Sequence, residues 1–256
     1  MDKLIRLVSK TGKILLESGA EVYRVEETVV RIANAYNVDD ASCFVLPTGV
    51  FASFVYDNKA YSLVSRVTNR STDLNKVDLI NNLSRSLCDN PISLDEYEIK
   101  LKEIENAPFY SMKVNMLSAA VGCAGFGLIF KGSLIDGLAC FFIGPIIKLT
   151  NIYFSKKQLS PFFSNFICGG LIGIFSIALS NMITGLHIDK VIIGCLMLLV
   201  PGLLITNAIR DSLAGDLVSG LSRAFEAILI AVAIACGVGC ILYFALLGGL
   251  TIWLKY

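Results

Sequence analysis

Five long apolar stretches in the C-terminal part of the chain constrain its fold more than any other feature. In order, they cover Asn115–Phe130, Leu134–Phe154, Phe162–Thr184, Val191–Ile209 and Ala224–Leu254. A helix needs about 20 apolar residues to cross the hydrocarbon core of a bilayer, and most of the stretches are near that length. Because 55% of the residues are hydrophobic and the mean hydropathy is +0.67, we predict a multi-pass membrane protein with an all-α bundle of about five transmembrane helices.

Charged residues divide the chain near Met112. Residues 1–112 hold 13 Lys/Arg and 16 Asp/Glu, whereas residues 113–256 hold 9 and 5. This shift predicts a soluble domain over 1–112 and a transmembrane helical domain over 113–256. The basic residues beside the apolar stretches are more frequent on the side of the soluble domain, which places this domain in the cytoplasm and the C-terminus outside the plasma membrane. Neither half has the basic stripe of a nucleic-acid-binding protein.

The first 112 residues have the pattern of a cytoplasmic α+β domain. Helical spacing over residues 3–17 is followed by Ser18–Glu21, which matches a capping box that would start a second helix. From Ala41 the residues become β-branched and aromatic, with Asp57-Asn58 placed as a hairpin turn. Two further helices follow, the second starting at a capping box at Ser93–Glu96. This half has no histidine and no nucleophile motif, so we do not expect an enzyme.

The stretch Leu198–Ala227 places charges between two apolar segments. Pro201-Gly202 should interrupt the helix there, and a charge at mid-depth in a bilayer costs about 3 kcal/mol or more. One interpretation is a broken helix that exposes polar groups to a transported substrate; the other is a short cytoplasmic loop whose charges are solvated. The candidate substrate- or ion-binding residues here are Pro201, Gly202, Asn207, Arg210, Asp211, Gly215, Asp216, Arg223 and Glu226.

A second set of candidates lies in the soluble half. Its members are Glu21, Tyr23, Arg24, Glu26, Thr48 and Gly49. The polar residues of the second helix also fit a solvated, salt-bridged surface. Pro47-Thr48-Gly49 fits either a turn between strands or a backbone site for a small anion. We expect no catalytic residues, no metal ligands and no cofactor, and we interpret the single histidine, His187, as structural. The many glycines of the apolar stretches predict close helix packing.

These motifs in this order resemble the threonine/serine exporter family. The resemblance rests on Ser18–Glu21 with Tyr23–Glu26, on Pro47–Gly49, and above all on Leu199–Gly202, Asn207, Arg210-Asp211, Gly215-Asp216, Ser219-Gly220 and Arg223. It implies a secondary exporter of small amino acids, with relatives split into two subunits that are linked to dicarboxylate (succinate) export. The long form continues into a second membrane half, so the resemblance implies that this chain is the larger subunit of the split form, completed by a smaller membrane subunit.

The mechanism and two alternatives remain open at this stage. Uphill export would need an ion gradient, and Asp216 and Glu226 are the candidate protonatable groups, while Arg210 and Arg223 suit a substrate carboxylate. The small-molecule substrate is an amino acid or a dicarboxylate, and a homo-oligomer could complete the path instead of a partner. Alternatively, the chain is a regulatory or structural membrane subunit whose soluble domain senses a cytoplasmic metabolite, or a membrane-tethered enzyme.

Overall fold

The chain folds into two compact units. A computed structural model describes residues 1–108 and 110–247. The first unit consists of Met1–Pro108 together with Leu203–Phe225, and the second consists of residues 110–202 and 226–247. Residues 203–225, which composition alone groups with the membrane half, therefore belong to the same unit as the N-terminal residues.

Four helices and a small sheet form the N-terminal part of the first unit. The strands pair antiparallel in chain order. Apolar residues from the helices and the sheet share one core, whose fully buried members include Leu15, Ile32, Phe54, Ile80 and Tyr97. The mixed helix-and-sheet arrangement predicted for this part is present. The elements are α1 (Asp2–Glu17), α2 (Val22–Ala35), β1 (Asp40–Leu46), β2 (Gly49–Tyr56), β3 (Lys59–Arg66), α3 (Leu74–Asp89) and α4 (Leu94–Glu105).

Two tight turns connect the three strands. Pro47-Thr48 joins β1 to β2, with Leu46 opposite Gly49. Asp57-Asn58 joins β2 to β3, and its two residues have φ angles of 50° and 56°. Positive φ at both central residues is the backbone of a type I′ turn, whose twist matches that of the strands. The hairpin turn predicted at Asp57-Asn58 is therefore confirmed.

The predicted cap of the second helix is wrong, whereas that of the fourth is confirmed. Ser18 ends α1, and Glu21 is the N-cap of α2 without a side-chain capping hydrogen bond. Gly19 reverses the chain between them with a φ of 91°, a conformation that favours glycine. The residues that match a capping box therefore lie where α1 ends, and Ser18 does not cap α2. At α4, the Ser93 hydroxyl accepts a hydrogen bond from the Glu96 amide at 3.2 Å.

Six helices follow Pro108 among the described residues. Four of them, α5, α6, α7 and α10, are long and apolar enough to cross a membrane, which confirms a multi-pass membrane protein. The last predicted span ended at Leu254, but residues 248–254 lie outside the described part of the chain. The bounds are α5 (Met112–Ile129), α6 (Leu134–Lys156), α7 (Pro161–Met182), α8 (Ile188–Leu196), α9 (Gly202–Ala214) and α10 (Leu217–Leu247).

The predicted fourth span, Val191–Ile209, is not a single helix. Helix α8 ends at Leu196 and α9 begins at Gly202, with Pro201 just before it. Proline lacks the amide hydrogen and clashes with the preceding helical turn. The interruption predicted at Pro201 is confirmed, and it reduces this stretch to two helices of 9 and 13 residues, each too short to cross a bilayer alone.

Glycines allow the helices of the second unit to approach closely. A methyl group on Gly237 of α10 would lie 2.1 Å from the Phe166 carbonyl of α7, and one on Gly169 of α7 would lie 2.8 Å from the Ile234 carbonyl of α10. Such contacts leave no room for a side chain. By contrast, a methyl group on Gly122 of α5 would meet no described atom within 4 Å. The predicted packing role therefore holds for some of the glycines only.

Candidate functional site

The turn between α1 and α2 presents backbone groups that the helices leave unsatisfied. Residues Ser18–Glu21 form this turn, and the positive φ of Gly19 directs successive peptide groups in different directions. At the start of α2, the first amides have no acceptor within the helix. These free carbonyls and amides are the groups to which polar side chains from residues 203–225 bind.

Helix α9 and the first residues of α10, up to Phe225, form a tight hairpin within the first unit. Gly215, with a φ of 100°, makes the turn between them, and the Asp216 amide donates to the Asp211 carbonyl at 2.9 Å. A methyl group on Gly220 would lie 2.1 Å from the Ser212 hydroxyl. The small residues Gly215 and Gly220 therefore allow the two helices to pack closely enough for their polar side chains to reach the α1–α2 turn together.

Three buried side chains of this hairpin bind the α1–α2 turn. The Asn207 side chain donates to the Gly19 carbonyl at 2.9 Å, and the Val22 amide donates to Asp211 Oδ1 at 3.0 Å. The Arg223 guanidinium donates to the Ala20 carbonyl at 2.9 Å. These donors and acceptors satisfy groups that would otherwise cost about 1–3 kcal/mol each when buried.

Asp211 and Arg223 also pair with each other. Arg223 Nε lies 3.2 Å from Asp211 Oδ2, and both side chains are buried, with exposed fractions of 5% and 0%. Burial raises the pKa of Asp211, and the nearby Arg223 charge opposes that shift. Since a buried charge is costly unless it is paired, this pair explains how two ionised groups persist in the interior of the unit.

Glu21 forms a more exposed part of the same cluster. Its carboxylate lies 2.5 Å from Arg210 Nη1 and 3.1 Å from Arg24 Nε. Burial opposes ionisation of Glu21, but hydrogen bonds from its own amide and from Arg210, together with the Arg24 charge, lower its pKa below the usual value. The Arg210 and Arg24 side chains are 52% and 39% exposed, although Arg24 Nε itself is buried.

Glu26 lies on the following turn of α2. Its carboxylate accepts a hydrogen bond from the Val45 amide at 2.8 Å. Burial raises the pKa of Glu26, the Val45 hydrogen bond lowers it, and the negative charges of Asp216 and Asp211 raise it further. The turn of the hairpin thus places Asp216, which is half-buried, close enough to influence Glu26 electrostatically.

The other predicted site residues lie beside this cluster or outside it. Tyr23 is half-buried on α2, and its side chain is hydrogen-bonded to that of Arg24. Thr48 is exposed in the first strand turn, and its carbonyl accepts from the Val67 amide at 2.9 Å, while Gly49 pairs with Leu46 within the sheet. These contacts match the interpretation of Pro47–Gly49 as a turn. Pro201 and Gly202 lie at the helix break, and Glu226 is half-buried in α10.

Comparison with known families identifies the chain. A family model described as "Putative threonine/serine exporter" matches residues 6–245, which is most of the sequence. The chain belongs to the threonine/serine exporter family. The resemblance seen in the motifs is therefore confirmed, and three of the residues that carry it, Asn207, Asp211 and Arg223, bind the α1–α2 turn.

Two relatives differ in the share of their length that matches this chain. It is 18% identical over 239 residues to a "Probable threonine/serine exporter" of Mycobacterium tuberculosis, covering 92% of this chain and 45% of the relative. It is 20% identical over 235 residues to a "Probable succinate transporter subunit YjjP" of Klebsiella aerogenes, covering 91% of this chain and 90% of the relative. The chain thus spans about half the length of the first relative. No solved structure matches with statistical significance.

The sequence did not indicate that the two sets of candidate residues meet. Glu21 and Arg210 are 189 residues apart, and local periodicity carries no information over that distance. The sequence also missed the pairing of Asp136 with His187, 51 residues apart. The one available signal was Ser133, three residues before Asp136, because this spacing is the pattern of a capping box at the start of a helix. Among the described residues, no cluster of three or more metal-ligating side chains forms a metal site.

Proposed function

We propose that this chain is a subunit of a secondary exporter of small amino acids such as threonine and serine, or of small dicarboxylates such as succinate. The observation that carries the proposal is the family match over residues 6–245, together with the clustering of the motif residues around two partly exposed arginines. All the proposed substrates carry a carboxylate. Arginine is the side chain best suited to bind that group, because its planar fork donates two parallel hydrogen bonds.

The cluster divides into a buried scaffold and an exposed binding part. Asn207, Asp211 and Arg223 are 2%, 0% and 4% exposed, and their contacts hold the α9–α10 hairpin against the α1–α2 turn. Arg210 and Arg24 lie around Glu21 with partly exposed side chains. In this proposal, the substrate carboxylate competes with the Glu21 carboxylate for these two arginines, so binding would loosen the contact between α2 and α9.

We further propose five membrane crossings, with the first unit in the cytoplasm and the C-terminus outside. Helices α5, α6 and α7 provide three crossings, so the chain after α7 lies on the side opposite the first unit. Residues 203–225 belong to that first unit, which requires residues 183–202, including α8 and the Pro201 break, to cross back. A crossing made of a short helix and a non-helical segment is tolerated where protein surrounds it.

The match to a relative named as a transporter subunit supports a requirement for a second membrane protein. That relative is covered over 90% of its length, whereas the longer exporter is covered over only 45%. We propose that a smaller membrane subunit completes the transporter and that export is coupled to protons. The location of the arginine cluster in the unit with the N-terminal residues also favours a second candidate, in which this chain senses a cytoplasmic metabolite and regulates the partner's transport.

Efflux from cells tests the exporter proposal. Cells that lack their own exporters are loaded with labelled threonine or succinate, and efflux is followed with the chain alone, with a smaller membrane subunit of the same family alone, and with both. The proposal predicts saturable efflux that requires both chains. Full transport by the partner alone, modulated by this chain, would favour the regulatory function instead, and no efflux of either substrate class by the pair would refute the exporter proposal.

A further inference from the structure

A second polar cluster lies at one end of the second unit, around the carboxylate of Asp136. This side chain is fully buried in the first turn of α6 and accepts four hydrogen bonds. The Ser133 amide and hydroxyl donate to it at 2.7 Å and 2.9 Å. The His187 amide donates at 2.7 Å, and His187 Nδ1 lies 2.9 Å from Oδ2. With both carboxylate oxygens surrounded by donors, Asp136 is held as the anion.

The anion determines the protonation pattern of His187. Because Asp136 accepts, Nδ1 carries the hydrogen that is donated to it, and the second proton of an imidazolium is then added at Nε2. The His187 side chain is 41% exposed, whereas its carboxylate partner is 0% exposed. A proton can therefore reach the ring, and the imidazolium so formed is stabilised by a carboxylate that stays in place.

Three other ionisable groups lie near this pair in the sequence, at the α5–α6 turn and at the start of α8. Lys131 lies in the turn between α5 and α6, and Asp189 and Lys190 at the start of α8 pair with each other at 2.9 Å. Helix α7, which packs against both α6 and α8, has no charged residue in its sequence. The thiols facing α8 from the helix core are Cys140 and Cys123.

We infer that His187, held by Asp136, is a proton-binding site of this transporter. The inference rests on the proposed exporter function and on the proposed topology. In that topology α5 and α7 each cross from the cytoplasmic side, so the α5–α6 turn and the start of α8 lie on the outer side. In an energised membrane this is the side from which protons enter, and a proton antiporter must bind its proton there before substrate moves out. The reaction is the addition of one proton to Nε2 of a neutral imidazole.

Nuclear magnetic resonance of the full chain in lipid nanodiscs tests the proton site without transport. His187 is the only histidine in the sequence, so labelled histidine gives one ring signal. Spectra recorded over a pH series then give the midpoint at which the ring binds a proton. Asp136→Asn should lower the proton affinity of the ring by about tenfold or more, since the imidazolium loses its counter-charge. Asp189→Asn, at the same helix end, is the matched control and should shift the midpoint by much less.

Efflux measured against external pH then tests the coupling in the complex. His187→Gln and Asp136→Asn should flatten the pH dependence, whereas Asp189→Asn should retain it. If Asp136→Asn does not assemble, His187→Gln alone decides the transport arm. An unchanged pH profile in His187→Gln, or a ring signal with the same midpoint in the parent and in Asp136→Asn, would overturn the inference while leaving the exporter function intact. Absence of transport by the parent would instead count against the exporter function, and the ring titration would still decide whether the proton site exists.

Discussion

Replacement of Asp211 by asparagine should destabilise the first unit strongly. Asparagine keeps an oxygen that can accept the Val22 amide, now at 3.0 Å from Oδ1, so the substitution changes the charge and little else. Arg223, with a side chain only 5% exposed, then loses the carboxylate that lies 3.2 Å from its Nε. The remaining guanidinium charge stays in the interior without its ionic partner.

The magnitude follows from the burial of the pair. Removal of one partner from a buried ion pair costs about 3–5 kcal/mol. Because burial raises the pKa of Asp211, the variant also loses the cost of burying that carboxylate, so we expect a net loss near the lower end, about 3 kcal/mol. At about 2–4 °C per kcal/mol for a protein of this size, the thermal midpoint should fall by about 6 °C or more. The midpoint is measured on the purified full chain in detergent, by heating aliquots and quantifying the protein that still elutes as a single folded species in size-exclusion chromatography.

Two further variants make this result decisive. Lys13→Met breaks the exposed pair with Glu17, whose atoms lie 3.7 Å apart, and should change stability by only about 0–1 kcal/mol. The double variant Asp211→Asn with Arg223→Gln removes both buried charges, keeps an acceptor for the Val22 amide and a donor for the Ala20 carbonyl, and should recover much of the loss. A thermal midpoint of Asp211→Asn equal to that of Lys13→Met would refute the reasoning that the pair is a buried structural contact.

Two other predictions concern the same region. Gly220→Ala should destabilise the α9–α10 hairpin by about 1–3 kcal/mol, because its methyl group would lie 2.1 Å from Ser212 Oγ. The methyl group of Gly122→Ala would meet no described atom within 4 Å, so this variant should not be destabilised. Thermal midpoints of both variants check this prediction. Glu26→Gln should be more stable than the parent above about pH 4.3 and equally stable in more acidic solution. The pKa of Glu26 is raised in the folded chain. The parent therefore loses stability as the pH rises from the usual glutamate pKa through this raised pKa. Thermal midpoints across pH that are parallel for parent and variant would contradict the second prediction.

Local features of the fold could be predicted from the sequence. Helical spacing indicated the N-terminal helices, the Asp57-Asn58 pair indicated a hairpin, and Pro201 indicated a helix break. Each of these depends on neighbouring residues alone. The capping box at Ser18–Glu21 failed because the same residues also suit a helix end, where the positive φ of Gly19 decides the outcome.

The assembly of the candidate site could not be predicted in the same way. From the sequence, the charges of Arg210, Asp211 and Arg223 fitted either a broken helix that faces a substrate or a solvated loop. Instead, they bind a carbonyl, an amide and a carboxylate of the α1–α2 turn. Such contacts depend on which distant backbone groups are left unsatisfied, and one sequence does not contain that information in any local pattern.

The most direct test of the central claim is the substrate affinity of the Arg210 variants. Initial efflux rates of labelled threonine and succinate are measured over a range of internal concentrations for the complex with its smaller subunit. Arg210→Ala should raise the KM by about tenfold or more, and Arg210→Lys should raise it less, because lysine keeps the charge and loses the fork. Arg31→Ala removes an exposed arginine that pairs with Glu27 on helix α2. This control variant should leave the KM unchanged. A KM in Arg210→Ala equal to that in Arg31→Ala, for every transported substrate, would contradict the account.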